Sequence, residues 1–198
     1  MMDQYFSNNP NVVSDPRTLV STLRGHRFTF TTDNGVFSKN DIDFGSRVLI
    51  ETFREPELDG LLLDVGCGYG PISLALAASY TNREIYGVDI NQRALSLAEK
   101  NAEQNKIENV IFRESDILSS VSDEKFAAIV TNPPIRAGKQ VVHQIFEESK
   151  QALLPQGELW VVIQKKQGAP SAKKKLEGLF KTVEVVLKEK GYFILHAK

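Results

Sequence analysis

The sequence predicts an α/β fold: a seven-stranded, mostly parallel sheet with one antiparallel strand, helices on both faces, and a small N-terminal β-hairpin appendage. Three observations predict it. From Leu61 onward, short apolar runs alternate with longer segments of helical period. The first apolar run passes straight into a glycine-rich turn and then a helix start, Leu61 to Pro71. The chain closes on two consecutive strand-like runs joined through Lys190-Gly191, with no helix between them. Strand–helix–strand units make right-handed crossovers and parallel strands. A closing hairpin cannot keep both of its strands parallel to the rest, so one must run backwards.

Residues 1–25 are polar and irregular, with turn signals at Asn9-Pro10 and Asp15-Pro16. "RFTFTT" then alternates, and Asp33-Asn34-Gly35 followed by "VFS" reads as the hairpin turn. A short helix is expected from about Asp43 to Phe53, with Val48, Leu49, Ile50 and Phe53 near one face. "LLLDVG" is a buried strand, and "PISLALAASY" a helix with Pro71 in its first turn, where proline is tolerated. "EIYGVDI" is a strand, and "NQRALSLAEKNAEQN" an amphipathic helix capped by Asn91. "NVIFRES" and "FAAIVTN" are strands, and "KQVVHQIFEESKQALL" a helix stopped by Pro155 and Gly157. "GELWVVIQ" is a strand, "SAKKKLEGLF" a short helix after Pro170, and "TVEVVLKEKGYFILHA" the closing pair.

A length of 198 residues suits one domain with a sizeable core. We expect residues 1–42 to form the appendage and 43–198 the core of that single unit. The composition, 41% hydrophobic and 25% charged, is that of a globular protein. No apolar run approaches the roughly 18 residues a membrane span needs, so no membrane partner is expected. The polar N-terminus has no signal-peptide core, and the expected location is cytoplasmic. Cys67 is the single cysteine, which excludes an intramolecular disulfide and a cysteine-rich metal site. His26, His143 and His196 are scattered, so no metal is expected. Net charge is −1, yet residues 1–135 carry −7 and residues 136–198 carry +6. Such asymmetry marks either a polyanion-facing surface or solvated lysines on exposed helices.

In a sheet of this kind ligands bind beyond the carboxyl ends of the strands, so the polar residues there matter most. The first strand ends in "DVGCGYG", Asp64 to Gly70. Its glycines allow positive φ and close approach of backbone to a ligand, and the helix start that follows offers free N–H groups. The spacing G-x-G-x-G is one residue short of the dinucleotide fingerprint. Asp64, two residues before the first glycine, suits an ammonium group better than a pyrophosphate. Asp89 ends the second strand, where a carboxylate accepts from the two hydroxyls of a ribose. Asp116, in "ESDIL" with Ser115 and Ile117, is placed to accept from an adenine amino group, with Ile90 and Ile117 on either face of the ring. Taken singly, each acid could equally be a helix cap or a loop residue.

Asp64-Val65-Gly66-Cys67-Gly68-Tyr69-Gly70, Asp89, Asp116 and Asn132-Pro133-Pro134-Ile135 resemble the motifs of class I S-adenosylmethionine-dependent methyltransferases. Phe37-Ser38, Asp43-Phe44-Gly45-Ser46 and the segment from Asn132 to Lys139 resemble, more narrowly, the catalytic domain of the small-subunit ribosomal RNA guanine-N2 methyltransferase C family. The resemblance extends over nearly the whole chain and is most specific in the glycine loop and the NPP segment. It implies the Rossmann-like class I methyltransferase fold. It also implies S-adenosylmethionine held by Val65, Gly66, Cys67, Gly68 and Gly70, ribose contact by Asp89 and adenine contact by Asp116. Phe37 and Asp43 would close over the cofactor. Two-domain members carry a degenerate copy of the fold ahead of the catalytic one, for which 198 residues leave no room. RNA recognition would then fall to the hairpin, the basic C-terminal third or a second subunit of a homodimer.

"IVTNPPI" ends an apolar run on an amide followed by two prolines, which cannot continue a central strand. The chemistry of an exocyclic amine explains the choice. Its lone pair is delocalised into the ring, so it needs orientation more than a strong base. The Asn132 side-chain oxygen and the Pro133 carbonyl can each accept one of its N–H bonds, which aims the lone pair at a methyl donor. Pro133 and Pro134 keep the loop rigid. Ile135 packs on the base without the π contribution of the aromatic residue many amine methyltransferases have there. Arg136, Lys139, Lys165, Lys166, Lys173, Lys174 and Lys175 are candidates for RNA phosphate contacts. The expected function is methylation of guanine N2 in small-subunit ribosomal RNA or its precursor particle. The alternatives are N-methylation of a protein amide, a protein amine or a small molecule, and a non-catalytic RNA-binding assembly factor.

Overall fold

The computed structural model describes residues 12–198, so the Asn9-Pro10 turn signal lies outside the described residues. The chain begins with strands β1 (Arg17–Leu23) and β2 (His26–Thr32) and helix α1 (Phe44–Thr52). It continues through β3 (Leu61–Val65), α2 (Pro71–Ser79), β4 (Ile85–Asp89), α3 (Gln92–Asn105), β5 (Val110–Glu114) and β6 (Phe126–Thr131). Helix α4 (Lys139–Ala152), β7 (Leu153–Gln164), α5 (Ala169–Glu177), β8 (Val183–Glu189) and β9 (Tyr192–Ala197) complete it.

β3 to β9 form one sheet in the order β5-β4-β3-β6-β7-β9-β8. β5, β4, β3, β6 and β7 pair in parallel, and β9 runs antiparallel to both β7 and β8. Alternate residues along each strand serve opposite faces. Leu62, Ala128, Val130, Trp160 and Val162 pack with α1, α2, α3 and the N-terminal hairpin. Leu63, Val65, Ile129, Val161 and Ile163 pack with α4 and α5. Both faces are therefore covered, which is why the central strands are apolar on both faces except near their carboxyl ends, at Asp64 and Thr131. Each fully buried Leu or Phe contributes roughly 1.5–3 kcal/mol. Among the described residues, no helix is long and apolar enough to cross a membrane.

The N-terminal hairpin turns at Arg24-Gly25, not at Asp33-Asn34-Gly35 as the sequence predicts. Both turn residues have positive φ, 49° and 79°, the requirement of a two-residue hairpin turn. Arg24 accepts this conformation because its guanidinium is held. It donates to the Ile50 and Phe53 carbonyls at 2.7 and 2.9 Å, to the Ser79 hydroxyl and to the Tyr80 hydroxyl. Asp33 instead organises the exit from β2, accepting from the Ser14 hydroxyl and from the N–H groups of Asp15 and Asn34.

The free edge of β2 is covered by side-chain amides. Asn101 exchanges two hydrogen bonds with the backbone of Thr31, at 2.6 and 3.1 Å, and Asn105 does the same with Thr29, at 2.9 and 2.8 Å. Four residues of helix rise about 6 Å and two residues of strand about 6.8 Å, so the two spacings match. This edge is thereby protected from pairing with another chain.

Helix α4 ends at Ala152 rather than running to Pro155, and β7 begins at once. Pro155 sits in a β-bulge where the register against β6 slips between Phe126 and Ala128. Gln156 takes φ 68° there. A Cβ on Gly157 would lie 2.9–3.1 Å from three carbonyl oxygens, so the bulge admits only glycine at that position. Pro170 lies inside α5 rather than before it, in the first turn.

Candidate active site

The parallel register puts Val65, Val88 and Thr131 side by side, so the chain leaves β3, β4 and β6 at one edge of the sheet. The loop after β3 turns sharply. Gly66, Gly68 and Gly70 have φ of 77°, 57° and 92°, and Gly66 and Cys67 donate to the Val88 carbonyl. A Cβ on Gly66 or Gly68 would meet no atom within 4 Å, so the loop faces open space. Gly70, by contrast, is packed: a Cβ there would lie 3.3–3.4 Å from Phe112, Ala98 and Leu74.

Asp64 lies beneath this loop, wholly buried. One carboxylate oxygen accepts from the Ser73 N–H at 3.1 Å and the Ser73 hydroxyl at 2.6 Å. The other has no hydrogen-bond partner among the described residues. Burial pushes the group up to about 7, against the pull of the Ser73 bonds. A buried carboxylate oxygen without a donor fits a ligand that brings a cation or an N–H. Asp89 accepts from the Gly68 N–H at 2.8 Å and the Asn91 N–H at 2.9 Å, and so ties the glycine loop to the start of α3. Burial raises its pKa, while the N–H groups of Asn91, Gly68 and Ile90 oppose the rise. Ser115 is buried and donates its N–H to the Asp89 carbonyl; Asp116 is exposed, and Ile90 and Ile117 are half-buried. The Cys67 thiol is buried and its pKa raised by that burial, which makes it packing rather than a nucleophile. Among the described residues no three His, Cys, Asp or Glu side chains group as a metal site.

Asn132 follows β6, and its amide orientation is fixed. The Nδ2 group donates to Asp43 Oδ2 and to Ser46 Oγ, both at 2.9 Å. A carboxylate accepts only, so the nitrogen must face Asp43 and Oδ1 is left to accept from a ligand. Asp43 also caps α1, accepting from the Ser46 N–H at 3.0 Å. The Pro134 carbonyl is taken by the Ala137 N–H at 2.9 Å, whereas among the described residues no turn or cap bond occupies that of Pro133. Asn132 Oδ1 and the Pro133 carbonyl are thus two acceptors on one rigid loop, and Ile135, half-buried, begins the short turn after it.

Two further residues border this site. Ser46 is part of the "DFGS" segment, but nothing in the sequence shows that it reaches Asn132. Tyr192 of β9 arrives from the far end of the chain. A Cβ on Gly45 would fall 2.8 Å from its ring and 2.9 Å from Asp43 Oδ2, so the glycine admits the ring beside the Asp43–Asn132 pair. Phe37 is 54% exposed, between β2 and α1, and the neighbouring Ser38 carbonyl accepts from Tyr69 of the glycine loop at 3.4 Å. Of the basic candidates, Lys173 pairs with Glu177 and Lys175 with Glu147. Arg136, Lys139, Lys165, Lys166 and Lys174 have no acidic partner within salt-bridge distance among the described residues.

Residues 27–196 match the methyltransferase small domain family. The chain belongs to that family. It is a class I S-adenosylmethionine-dependent methyltransferase by fold and by homology. The uncharacterized protein YbxB of Bacillus subtilis is 57% identical over 199 residues, covering 100% of this chain and 99% of its own. Ribosomal RNA small subunit methyltransferase C of Pasteurella multocida is 34% identical over 132 residues, 65% of this chain and 39% of that protein. The solved structure of the T. thermophilus 16S rRNA N2 G1207 methyltransferase, in complex with AdoMet and guanosine, superposes with a TM-score of 0.82 at 27% identity. That match covers 96% of this methyltransferase and 52% of the T. thermophilus chain. The chain therefore spans about half the length of these ribosomal RNA methyltransferases, or less.

Proposed function

We propose that this methyltransferase modifies the exocyclic N2 amine of a guanine in small-subunit ribosomal RNA. The pinned amide of Asn132 carries the reading. With both of its N–H bonds held by Asp43 and Ser46, it offers an acceptor and only an acceptor, next to the Pro133 carbonyl. Two acceptors on a rigid loop suit a group with two N–H bonds. They hold the amine as it leaves planarity and stabilise the positive charge it develops.

The residues of the glycine loop fit S-adenosylmethionine. Open space over Gly66 and Gly68 receives the amino-acid end of the cofactor, and the partnerless Asp64 oxygen receives its ammonium group. Asp89 takes the ribose, and Ser115, Asp116, Ile90 and Ile117 surround the adenine. The bound cofactor supplies an electrophilic methyl group on a sulfonium. The protein contributes placement: Asn132 and Pro133 orient the amine, and Ile135 packs against its ring. Arg136, Lys139, Lys165, Lys166 and Lys174 contact RNA phosphates.

The test is transfer of labelled methyl groups to ribosomal particles from a strain lacking the protein, followed by digestion to nucleosides. N2-methylguanosine is the expected product, and label in any other nucleoside overturns the assignment. Ile135 in place of an aromatic favours a second reading, a protein amide acceptor. Label that stays in protein after RNase treatment would establish that reading instead.

A further inference from the structure

Beside Ile135, on the α4–α5 face, a cavity of about 160 Å³ opens at the same edge of the sheet. Its floor is Val142, Ile163 and Ala172, all buried, and Ile135 forms one wall. Polar groups stand at its rim: Lys139, His143, Gln167 and Ser171. None of these four side chains makes a hydrogen bond within the protein among the described residues. Burial, then the charges of Lys139 and Lys175, hold the His143 pKa below its ordinary value. Near neutral pH its ring therefore offers one donor and one acceptor.

The cavity is smaller than the roughly 300–1,000 Å³ of sites that enclose a whole drug-sized molecule. It suits one planar ring, with apolar surface against the faces and donors and acceptors at the edge. Unstacked bases of single-stranded RNA are recognised in that way. The surrounding charge points to the same ligand. Lys139 is on the rim, Arg136 follows Ile135, and Lys165 and Lys166 immediately precede Gln167, all without acidic partners within salt-bridge distance among the described residues. Ile135 is three residues from Asn132, at most about 11 Å along the chain, so an occupant of the cavity lies close to the group held by Asn132.

We infer that this cavity takes the nucleobase neighbouring the methylated guanine in the RNA strand, with Lys139 and its neighbours on the intervening phosphates. The pocket then fixes the sequence context of methylation and anchors the strand. This rests on RNA being the substrate.

Two variants test it. Ser171→Phe places a ring in the cavity from its rim, and His143→Ala removes one edge contact while leaving the cavity open. Calorimetry with S-adenosylmethionine shows whether each variant keeps its fold and cofactor affinity. Steady-state methylation then uses ribosomal particles from a strain lacking the protein. The expected result is a KM for particles raised at least tenfold in Ser171→Phe and about threefold in His143→Ala, with kcat little changed. A KM equal to that of the wild type in His143→Ala and in a folded Ser171→Phe overturns the pocket. If Ser171→Phe fails to fold, His143→Ala decides alone. Failure of the RNA reading looks different: the unaltered protein itself then leaves the particles unlabelled.

Discussion

The two halves of the sheet's carboxyl edge are built on opposite plans. Over β3 and β4 the carboxylates, Asp64 wholly buried and Asp89 half-buried, are bonded to the loops they support: Asp64 to Ser73, and Asp89 to Gly68 and Asn91. Over β6 and β7, Asn132 keeps one acceptor outward, and Arg136, Lys139, Lys165, Lys166 and Lys174 lack acidic partners within salt-bridge distance among the described residues. On the proposed function, the first half is a preformed cradle for a small ligand of constant shape. The second is then a rigid pair of acceptors at the mouth of a charged surface, as a large polyanionic acceptor requires. The difference teaches that pre-organisation lies where the ligand never varies, and unpaired charge where the partner brings its own counter-charge.

Substitutions at the two halves should therefore separate transfer from binding. The largest effect is expected from Asn132→Ala: methyl transfer falls about 100-fold or more, while calorimetric affinity for S-adenosylmethionine is unchanged. Near-normal turnover would break the division at its centre. Asp89→Ala should do the reverse, weakening the cofactor at least about tenfold through the loss of charged hydrogen bonds worth roughly 1.5–3 kcal/mol each. Asp43→Ala probes the link between the halves. It frees the Asn132 amide to rotate and should lower kcat about tenfold, with about 1 kcal/mol of stability lost at the α1 cap. Ser46→Ala should show the smaller share of the same kinetic loss.

Asp64 sharpens the comparison through pH. Its folded pKa, about 7, lies above the ordinary 3.8, so the folded protein without ligand holds a proton that the unfolded chain has released. Stability from this group is complete below 3.8 and is lost as pH rises toward about 7. Denaturant titrations across that window should show the decline, and Asp64→Asn should flatten it. A cationic ligand group favours the ionised carboxylate, so cofactor affinity should rise with pH over the same range. The smallest effects are expected at single lysines: Lys165→Ala or Lys166→Ala should each reduce the salt slope of RNA binding by about 1.

Much of this was legible locally. Gly66 and Gly68 have the positive φ the "GCGYG" spacing predicts, and Asn91 caps α3 through its bond to the Ala94 N–H at 3.1 Å. Hairpin placement was not so legible. The Asp33-Asn34-Gly35 signal is strong in isolation, but Arg24 supplies the real turn because four distant groups hold its guanidinium. Pro155 and Gly157 read as the end of a helix, whereas the β6 carbonyls that crowd Gly157 place them in a bulge of β7. Local pattern carries no information about partners so remote in sequence.

By itself, the sequence determined the alternation of strands and helices, the glycine loop and the acids at the strand ends, because period, φ preference and spacing are properties of neighbouring residues. Only the tertiary structure decided what those residues do for one another. It turned Asp43 and Ser46, 89 and 86 residues before Asn132, into the clamp on its amide. It also brought Tyr192 to the same place and bound the edge of β2 to Asn101 and Asn105. The physical reason is that these are contacts between surfaces that only the packing of helices on the sheet brings within hydrogen-bonding distance.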